Sequence, residues 1–429
     1  MCVLSKALNN FVNINKNTFC AAPWFQIRND NLGCYKACCQ IDTSKTEFDG
    51  NTELKWPTHS FDQWLNSNYA VYLRENLTQG KQLSECNRCW FAEEHGELSL
   101  RQIINNTLTG NQGSNLDQTW MKSYFKNKTD FKQDLLISAD VKLTNLCNFA
   151  CAMCSPENST QIYVKWYNDK QHPIVQAHLE NRPNYFSEIK SVFVDKNNHE
   201  LLEQILNKKP KYIKLLGGEP LLDTVALDML AALPDAYKKQ TELQFITNGS
   251  VSLEQTRIKL GNFKKIFFTV SLEGVGAVQD WVRRGSDWSA IERNLLDYTA
   301  RHSKHGVSIH HTVQCLTVYH LPNLLLWADQ NKIPVTIGML DYPRYLGLDA
   351  MPKDLLLATV DRLNNMPDLT LNSCNDAEVV ESISNKKLAQ MVLASAPNEL
   401  FTSRLKNFID WYDPAQHWKT VVPEWLPYF

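Results

Sequence analysis

The stretch Leu143-Thr144-Asn145-Leu146-Cys147-Asn148-Phe149-Ala150-Cys151-Ala152-Met153-Cys154 sets three cysteines in the spacing C-x3-C-x2-C. Three thiolates can hold three irons of a [4Fe–4S] cube, for which thiolates are the usual protein ligands. The fourth iron then has no protein ligand and is open to a small molecule. A structural zinc site commonly takes four ligands as paired C-x2-C knuckles, and here the fourth partner is missing locally. A disulfide is disfavoured where no secretory signal is seen.

Outward from this stretch, short apolar runs alternate with helical patterns, which predicts βα units and a parallel sheet. Six strands are expected, at Leu136–Leu143, Tyr212–Leu216, Glu242–Thr247, Lys265–Leu272, Val307–Gln314 and Pro334–Met339. Side chains of a strand alternate between faces. Thr269, Ser271 and Glu273 therefore share one face, and so do His310, Thr312 and Gln314. A closed barrel fills its interior with branched apolar residues. A polar inner face predicts an open barrel with a ligand cavity; a half-exposed sheet with one solvated face is the plainer alternative.

Further motifs stand at strand ends, where parallel α/β barrels carry their chemistry. Gly217-Gly218-Glu219-Pro220 follows Tyr212–Leu216, Thr247-Asn248-Gly249 ends the next strand, and Ser271-Leu272-Glu273-Gly274 ends the one after. Glycines let a backbone approach a ligand closely, and Glu219 can pair with an ammonium. A strand-to-helix turn and an Asn–Gly turn would use the same residues. Arg283, in the expected helical stretch that follows, can hold a carboxylate bidentately or lie solvated at the surface. S-adenosylmethionine suits an open iron, since its amino and carboxylate groups can chelate it.

Taken together these motifs resemble the radical S-adenosylmethionine superfamily. The segments Phe268–Gly274, Trp281–Trp288 and Tyr342–Leu346 resemble its twitch-domain-containing branch. The resemblance implies an α/β fold, a partial (β/α)6 TIM-like barrel with an N-terminal twitch-like domain and a C-terminal helical extension. It implies that Cys147, Cys151 and Cys154 bind the catalytic [4Fe–4S] cluster. Gly217, Gly218, Glu219, Asn248, Ser271, Glu273 and Arg283 would bind S-adenosylmethionine. The expected activity is reductive cleavage of that cofactor to a 5′-deoxyadenosyl radical, which abstracts hydrogen from a peptide or small-molecule substrate. An external electron donor such as flavodoxin or ferredoxin is implied as partner. The sequence departs from the family in Met153, where an aromatic is usual, and in Glu273, where Asp is more common.

Before the expected barrel, Cys20, Gly33, Cys38, Cys86 and Cys89 form a C-x12-G-x4-C…C-x2-C pattern. This is similar to a twitch domain, which usually follows the barrel, and implies a second, closed Fe–S cluster on Cys20, Cys38, Cys86 and Cys89. Cys39 can replace Cys38, Cys34 is the odd one out, and a four-cysteine zinc site is the alternative. Ser99-Leu100-Arg101-Gln102 follows at the family's spacing, and His95 reads as a helix or cap residue. The expected domains are 1–134 (auxiliary cluster), 135–346 (barrel) and 347–429 (helical extension). The extension is expected to hold helices Lys353–Leu363, Ala377–Leu393 and Pro397–Trp411. Cys2, Cys315 and Cys374 read as inert thiols.

Among 429 residues, 44 are basic and 46 acidic, giving a formal charge of −2. That balance offers no electrostatic case for a nucleic-acid or anionic-membrane partner. No apolar run is long enough to cross a membrane. Twelve cysteines fit a cytoplasmic, reducing setting in which they ligate metal. A non-catalytic Fe–S or zinc scaffold that keeps the fold is the competing expectation.

Overall fold

The structure, a computed structural model, describes residues 17–30, 32–94, 98–109, 136–193, 198–302, 306–340, 342–367, 369–374 and 380–428. For 107–109, 370–374 and 380–383 it describes the backbone alone. Cys2 and His95 lie outside the described residues, as does the side chain of Cys374.

The strands are β1 (Gln26–Asn29), β2 (Tyr35–Lys36), β3 (Ser138–Lys142), β4 (Ala150–Cys151), β5 (Tyr212–Leu216), β6 (Glu242–Thr247), β7 (Lys265–Ser271), β8 (Arg283–Arg284), β9 (Val307–Val313), β10 (Val335–Met339), β11 (Thr370–Cys374) and β12 (Val380–Ser384). Eight form a mostly parallel sheet in the order β10-β9-β7-β6-β5-β3-β1-β2. β10 and β2 are its edges, so the sheet is open. The six expected strands are β3, β5, β6, β7, β9 and β10, within two residues at each end. β1 and β2 were not expected. With four and two residues they are too short to show an alternation.

Contacts divide the chain into two compact units. The first comprises Met1–Leu143, Lys190–Leu216 and Leu233–Leu243. Here β1 runs parallel to β3, with Ile27 opposite Ala139, and β2 returns antiparallel to β1. Asn29 prolongs the β1–β3 pairing with its side chain, which accepts from Lys142 N at 2.9 Å and donates to Lys142 O at 2.7 Å. Gly33 makes the β1–β2 turn at φ +80°, where a Cβ would lie 2.9 Å from Trp56 O. That is a position for glycine alone. Phe19, Trp24, Phe25, Tyr35, Trp64 and Leu73 bury their side chains in this unit, each contributing roughly 1.5–3 kcal/mol.

The second unit comprises Thr144–Ile189, Gly217–Ala232 and Gln244–Phe429. Its strands bury one face on Phe245, Phe268 and Tyr298, whose rings pack at 5.3–5.6 Å. Their other face is polar and half-buried. Parallel register sets Ser271 beside His310, His310 beside Thr336, and Thr312 beside Gly338. Gln244 donates to Thr269 on the same face at 3.1 Å. Gln314 was expected to share this face. Instead it is fully buried, donating to Thr317 Oγ1 and accepting from Leu316 N in the turn after β9.

The C-terminal part carries helices Lys353–Asn364, Asn385–Leu393 and Glu399–Tyr412. The middle one was expected to begin at Ala377. It begins at Asn385 because Ser384 caps it, accepting from Lys387 N at 3.1 Å. The residues before it, Val380–Ser384, instead pair antiparallel with Thr370–Cys374. No helix among the described residues is long and apolar enough to cross a membrane.

Candidate metal centres

The loop from Thr144 to Thr160 is folded onto itself by its own polar side chains. Thr160 Oγ1 accepts from Cys147 N at 3.3 Å and donates to Cys147 O at 3.1 Å. Ser159 caps the helix Thr160–Asn168 through Ile162 N and donates to Phe149 O at 2.6 Å. Asn145 donates to Pro156 O, and Cys154 N to Cys151 O. Cys147, Cys151 and Cys154 are thereby held in one wrapped turn.

The glycine pair packs against this turn. Gly218 N donates to Thr144 O and Glu219 N to Leu146 O at 2.7 Å. A Cβ on Gly218 would lie 2.2 Å from Leu146 O, so any other residue would force the two segments apart. The close approach expected toward a ligand is here an approach to the cysteine loop itself. Gly217, at φ +137°, supplies the bend before it.

Glu219 is fully buried. Its carboxylate accepts from Leu221 N at 3.0 Å, Thr247 Oγ1 at 2.8 Å and Asn248 N at 2.6 Å. A carboxylate has about four acceptor sites, so one remains for an incoming donor. Burial pushes the carboxyl up to about 7, against the lowering effect of these three bonds. Asn248 extends the link. Its Nδ2 donates to Asn148 Oδ1 at 2.9 Å and lies 3.9 Å from Cys147 Sγ. Phe149 N also points at Cys147 Sγ, at 3.4 Å.

Arg283 is neither helical nor a surface residue. It lies in β8, directly opposite Cys151 of β4, with its side chain 12% exposed. Its Nη1 stands 3.8 Å from Cys151 Sγ and its Nη2 donates to Glu273 Oε1 at 2.6 Å. The second oxygen of the fully buried Glu273 accepts from Thr312 N at 3.1 Å. His311 Nδ1, 3.5 Å from that oxygen, bonds Leu272 O at 3.0 Å. Burial holds His311 neutral, at about 4. Arg283 Nε, His311 Nε2 and Gln279 Nε2 are buried without hydrogen-bond partners among the described residues. Ser271 sits half-buried on the polar sheet face.

Burial raises the Cys147 thiol, and lifts Cys151 to about 11 against the lowering effect of Arg283. Binding of a metal group would release these protons. The donor set fits an Fe–S cluster: three thiols in one turn, with amide and guanidinium N–H groups aimed at two sulfurs. Such hydrogen bonds are a main influence on cluster potential.

The N-terminal cysteines form a second group, inside the first unit. Burial raises Cys20 to about 12, with further raising by Cys89. Cys38 is raised by burial and then by Cys39, Cys20 and Cys89. Cys86 is raised by burial and then by Cys20, Cys38 and Cys89. The four expected ligands thus lie within electrostatic reach of one another. Cys39 adjoins them but is exposed, whereas Cys34 feels Asp30, Glu53, Lys55 and Lys36 instead. Behind Cys89, Arg101 forms a bidentate pair with Glu93 at 2.9 and 2.6 Å and donates to Phe19 O. Ser99 and Gln102 form a reciprocal cap around the helix start. Among the described residues, no three His, Cys, Asp or Glu side chains converge on a point that one metal ion could occupy.

Sequence reasoning missed Asn148, Ser159, Thr160 and Tyr412 as supports of the cysteine loop, and Gln279 as the acceptor of Glu273 N at 2.8 Å. Tyr412 OH lies 3.1 Å from the carbonyls of Ala150, Trp281 and Val282. No local pattern marks a contact across so much chain.

No family model matches the chain, and no curated protein matches it. Among solved structures it is similar to that of TYW1 with a lysine–pyruvate adduct bound, at 16% identity over 56% of this chain and 77% of that one, with TM-score 0.30. It is similar to native anSMEcpe with bound AdoMet and Cp18Cys peptide, at 14% identity over 53% of this chain and 59% of that one, with TM-score 0.34. It is also similar to Streptococcus suis SuiB bound to precursor peptide SuiA, at 14% identity over 80% and 81%, with TM-score 0.35.

Proposed function

We propose that this chain is a radical S-adenosylmethionine enzyme of the twitch-containing branch, with Cys147, Cys151 and Cys154 as ligands of the catalytic [4Fe–4S] cluster. The observation that carries this reading is the cysteine turn. Three thiols share one wrapped loop, the glycine pair is packed against its backbone, and N–H donors are directed at two of the sulfurs. When bound, the cluster and S-adenosylmethionine would supply a 5′-deoxyadenosyl radical for hydrogen abstraction.

The chain's own residues bind, orient and shield. Glu219 locks the Gly217-Gly218 turn to Thr247-Asn248 and keeps one acceptor site for the cofactor's ammonium. Asn248 joins that turn to the cysteine loop. Ser271, His310, Thr312 and Thr336 offer polar groups along the half-buried sheet face. Glu273 and Arg283 fix charge beside Cys151.

The remaining parts of the reading follow the same resemblance. Segment 1–134 is an auxiliary domain in which Cys20, Cys38, Cys86 and Cys89 hold a second Fe–S cluster. Segment 135–346 is the barrel, and 347–429 an extension that packs on the cysteine loop. The substrate is a peptide or small molecule, an electron donor of the flavodoxin or ferredoxin kind reduces the cluster, and the setting is the cytoplasm.

The test is anaerobic reconstitution with iron and sulfide, reduction, and addition of S-adenosylmethionine. The wild-type protein should release 5′-deoxyadenosine, and the triple variant Cys147→Ala, Cys151→Ala, Cys154→Ala should release none. Iron retained by the wild type without cleavage would support a scaffold instead. Equal cleavage by the variant would remove these cysteines from the site.

A further inference from the structure

Arg283 has a geometry that cofactor binding does not require. It is the cross-strand partner of Cys151, so the two side chains leave one face of a two-residue ladder. Three devices fix that ladder. Ala152 N donates to Val282 O at 2.8 Å. Gly285 turns the chain at φ +97°, where a Cβ would lie 2.8 Å from Asn148 O. Arg284 donates to Tyr412 O and stacks its guanidinium 4.4 Å from the Tyr412 ring. Arg283 is thus held against the thiol by backbone.

Its charge is also defined. Glu273 is the carboxylate paired with it. Neither neighbouring histidine competes: His311 gives its N–H to Leu272 O and stays neutral, and burial lowers His310. Both terminal nitrogens of Arg283 are engaged inside the chain, one toward Glu273 and one toward the Cys151 sulfur. In a buried setting a fixed charge a few ångströms from a redox centre acts with little screening.

We infer that Arg283 is a positioning residue that sets the reduction potential of the cluster: its guanidinium, held by Glu273, stabilises the added electron through the Cys151 sulfur. This rests on the function proposed above. The two residues work with opposite signs. The guanidinium favours the reduced cluster and raises the potential, and the Glu273 carboxylate offsets part of that effect.

The test is an EPR-monitored potentiometric titration of reconstituted protein, following the signal that changes on adding S-adenosylmethionine. Arg283→Gln should shift the midpoint to more negative potential, and Arg283→Lys should restore part of the shift. Glu273→Gln should shift it the other way, to more positive potential. A purely structural disturbance would not reverse sign between the two positions. A wild-type midpoint retained in Arg283→Gln, or equal shifts of one sign in both variants, overturns the inference. If Arg283→Gln holds no cluster, Glu273→Gln decides alone, and an unchanged or more negative midpoint overturns the idea. Loss of the cluster from all three variants also overturns it, since that makes these residues necessary for binding rather than for potential. A wild-type protein with no cluster signal responding to S-adenosylmethionine would instead defeat the proposed function.

Discussion

At the residue scale, Glu219 shows how a motif residue can serve the protein before it serves a ligand. Its carboxylate ties two strand-end turns together from a fully buried position. Burial raises its carboxyl from 4.5 to about 7. The folded state therefore holds the proton more tightly than the unfolded chain, and stability falls as pH rises between those values. Glu219→Gln cannot titrate. The stability difference, wild type minus variant, should fall by on the order of 3 kcal/mol between pH 4.5 and 7. Urea unfolding of metal-free protein at several pH values measures it. A difference that stays flat would mean Glu219 titrates in the folded protein as it does in the unfolded chain.

At the element scale, the helix Glu399–Tyr412 bears on the cysteine loop although it lies far along the chain. Tyr412 is buried, its hydroxyl meets the carbonyls of Ala150, Trp281 and Val282, and Arg284 N donates to it at 3.4 Å. Asp413 adds a bond from Trp281 Nε1 at 2.9 Å and one from Trp418 N at 2.8 Å. Tyr412→Phe keeps the ring and removes the hydroxyl. It should cost about 1–3 kcal/mol, the scale of leaving buried polar groups unsatisfied. The loss should fall on the cysteine loop, seen as faster amide exchange at Ala152, whose N–H donates to Val282 O. Unchanged exchange there, with wild-type stability, would show that the helix packs on the loop without securing it.

At the scale of the whole molecule, two cysteine groups lie in two different compact units. Each should therefore load on its own. The triple alanine variant of Cys147, Cys151 and Cys154 should still bind an Fe–S cluster after anaerobic reconstitution, with a reduced spectrum indifferent to S-adenosylmethionine. Iron and sulfide analysis checks this. Zinc in place of iron, with excess iron and sulfide supplied, would make the N-terminal group a structural zinc site.

The strands and the candidate ligands were legible in local sequence pattern. Alternation of period two is local, and burial on one face enforces it, so Tyr212–Leu216 and Glu242–Thr247 emerge with the limits expected from sequence. Cysteine spacing is likewise local, and Cys147, Cys151 and Cys154 fall in one turn as their separation suggests. What meets them depends on the fold. The strands Gln26–Asn29 and Tyr35–Lys36 exist because a neighbouring strand edge completes their hydrogen bonds, not because their own residues alternate. The sequence made Arg283 a possible carboxylate clamp or a surface residue. Folding set it between Glu273 and Cys151, and so decided which charges it feels. Such contacts join residues far apart in the chain, and no local propensity encodes them.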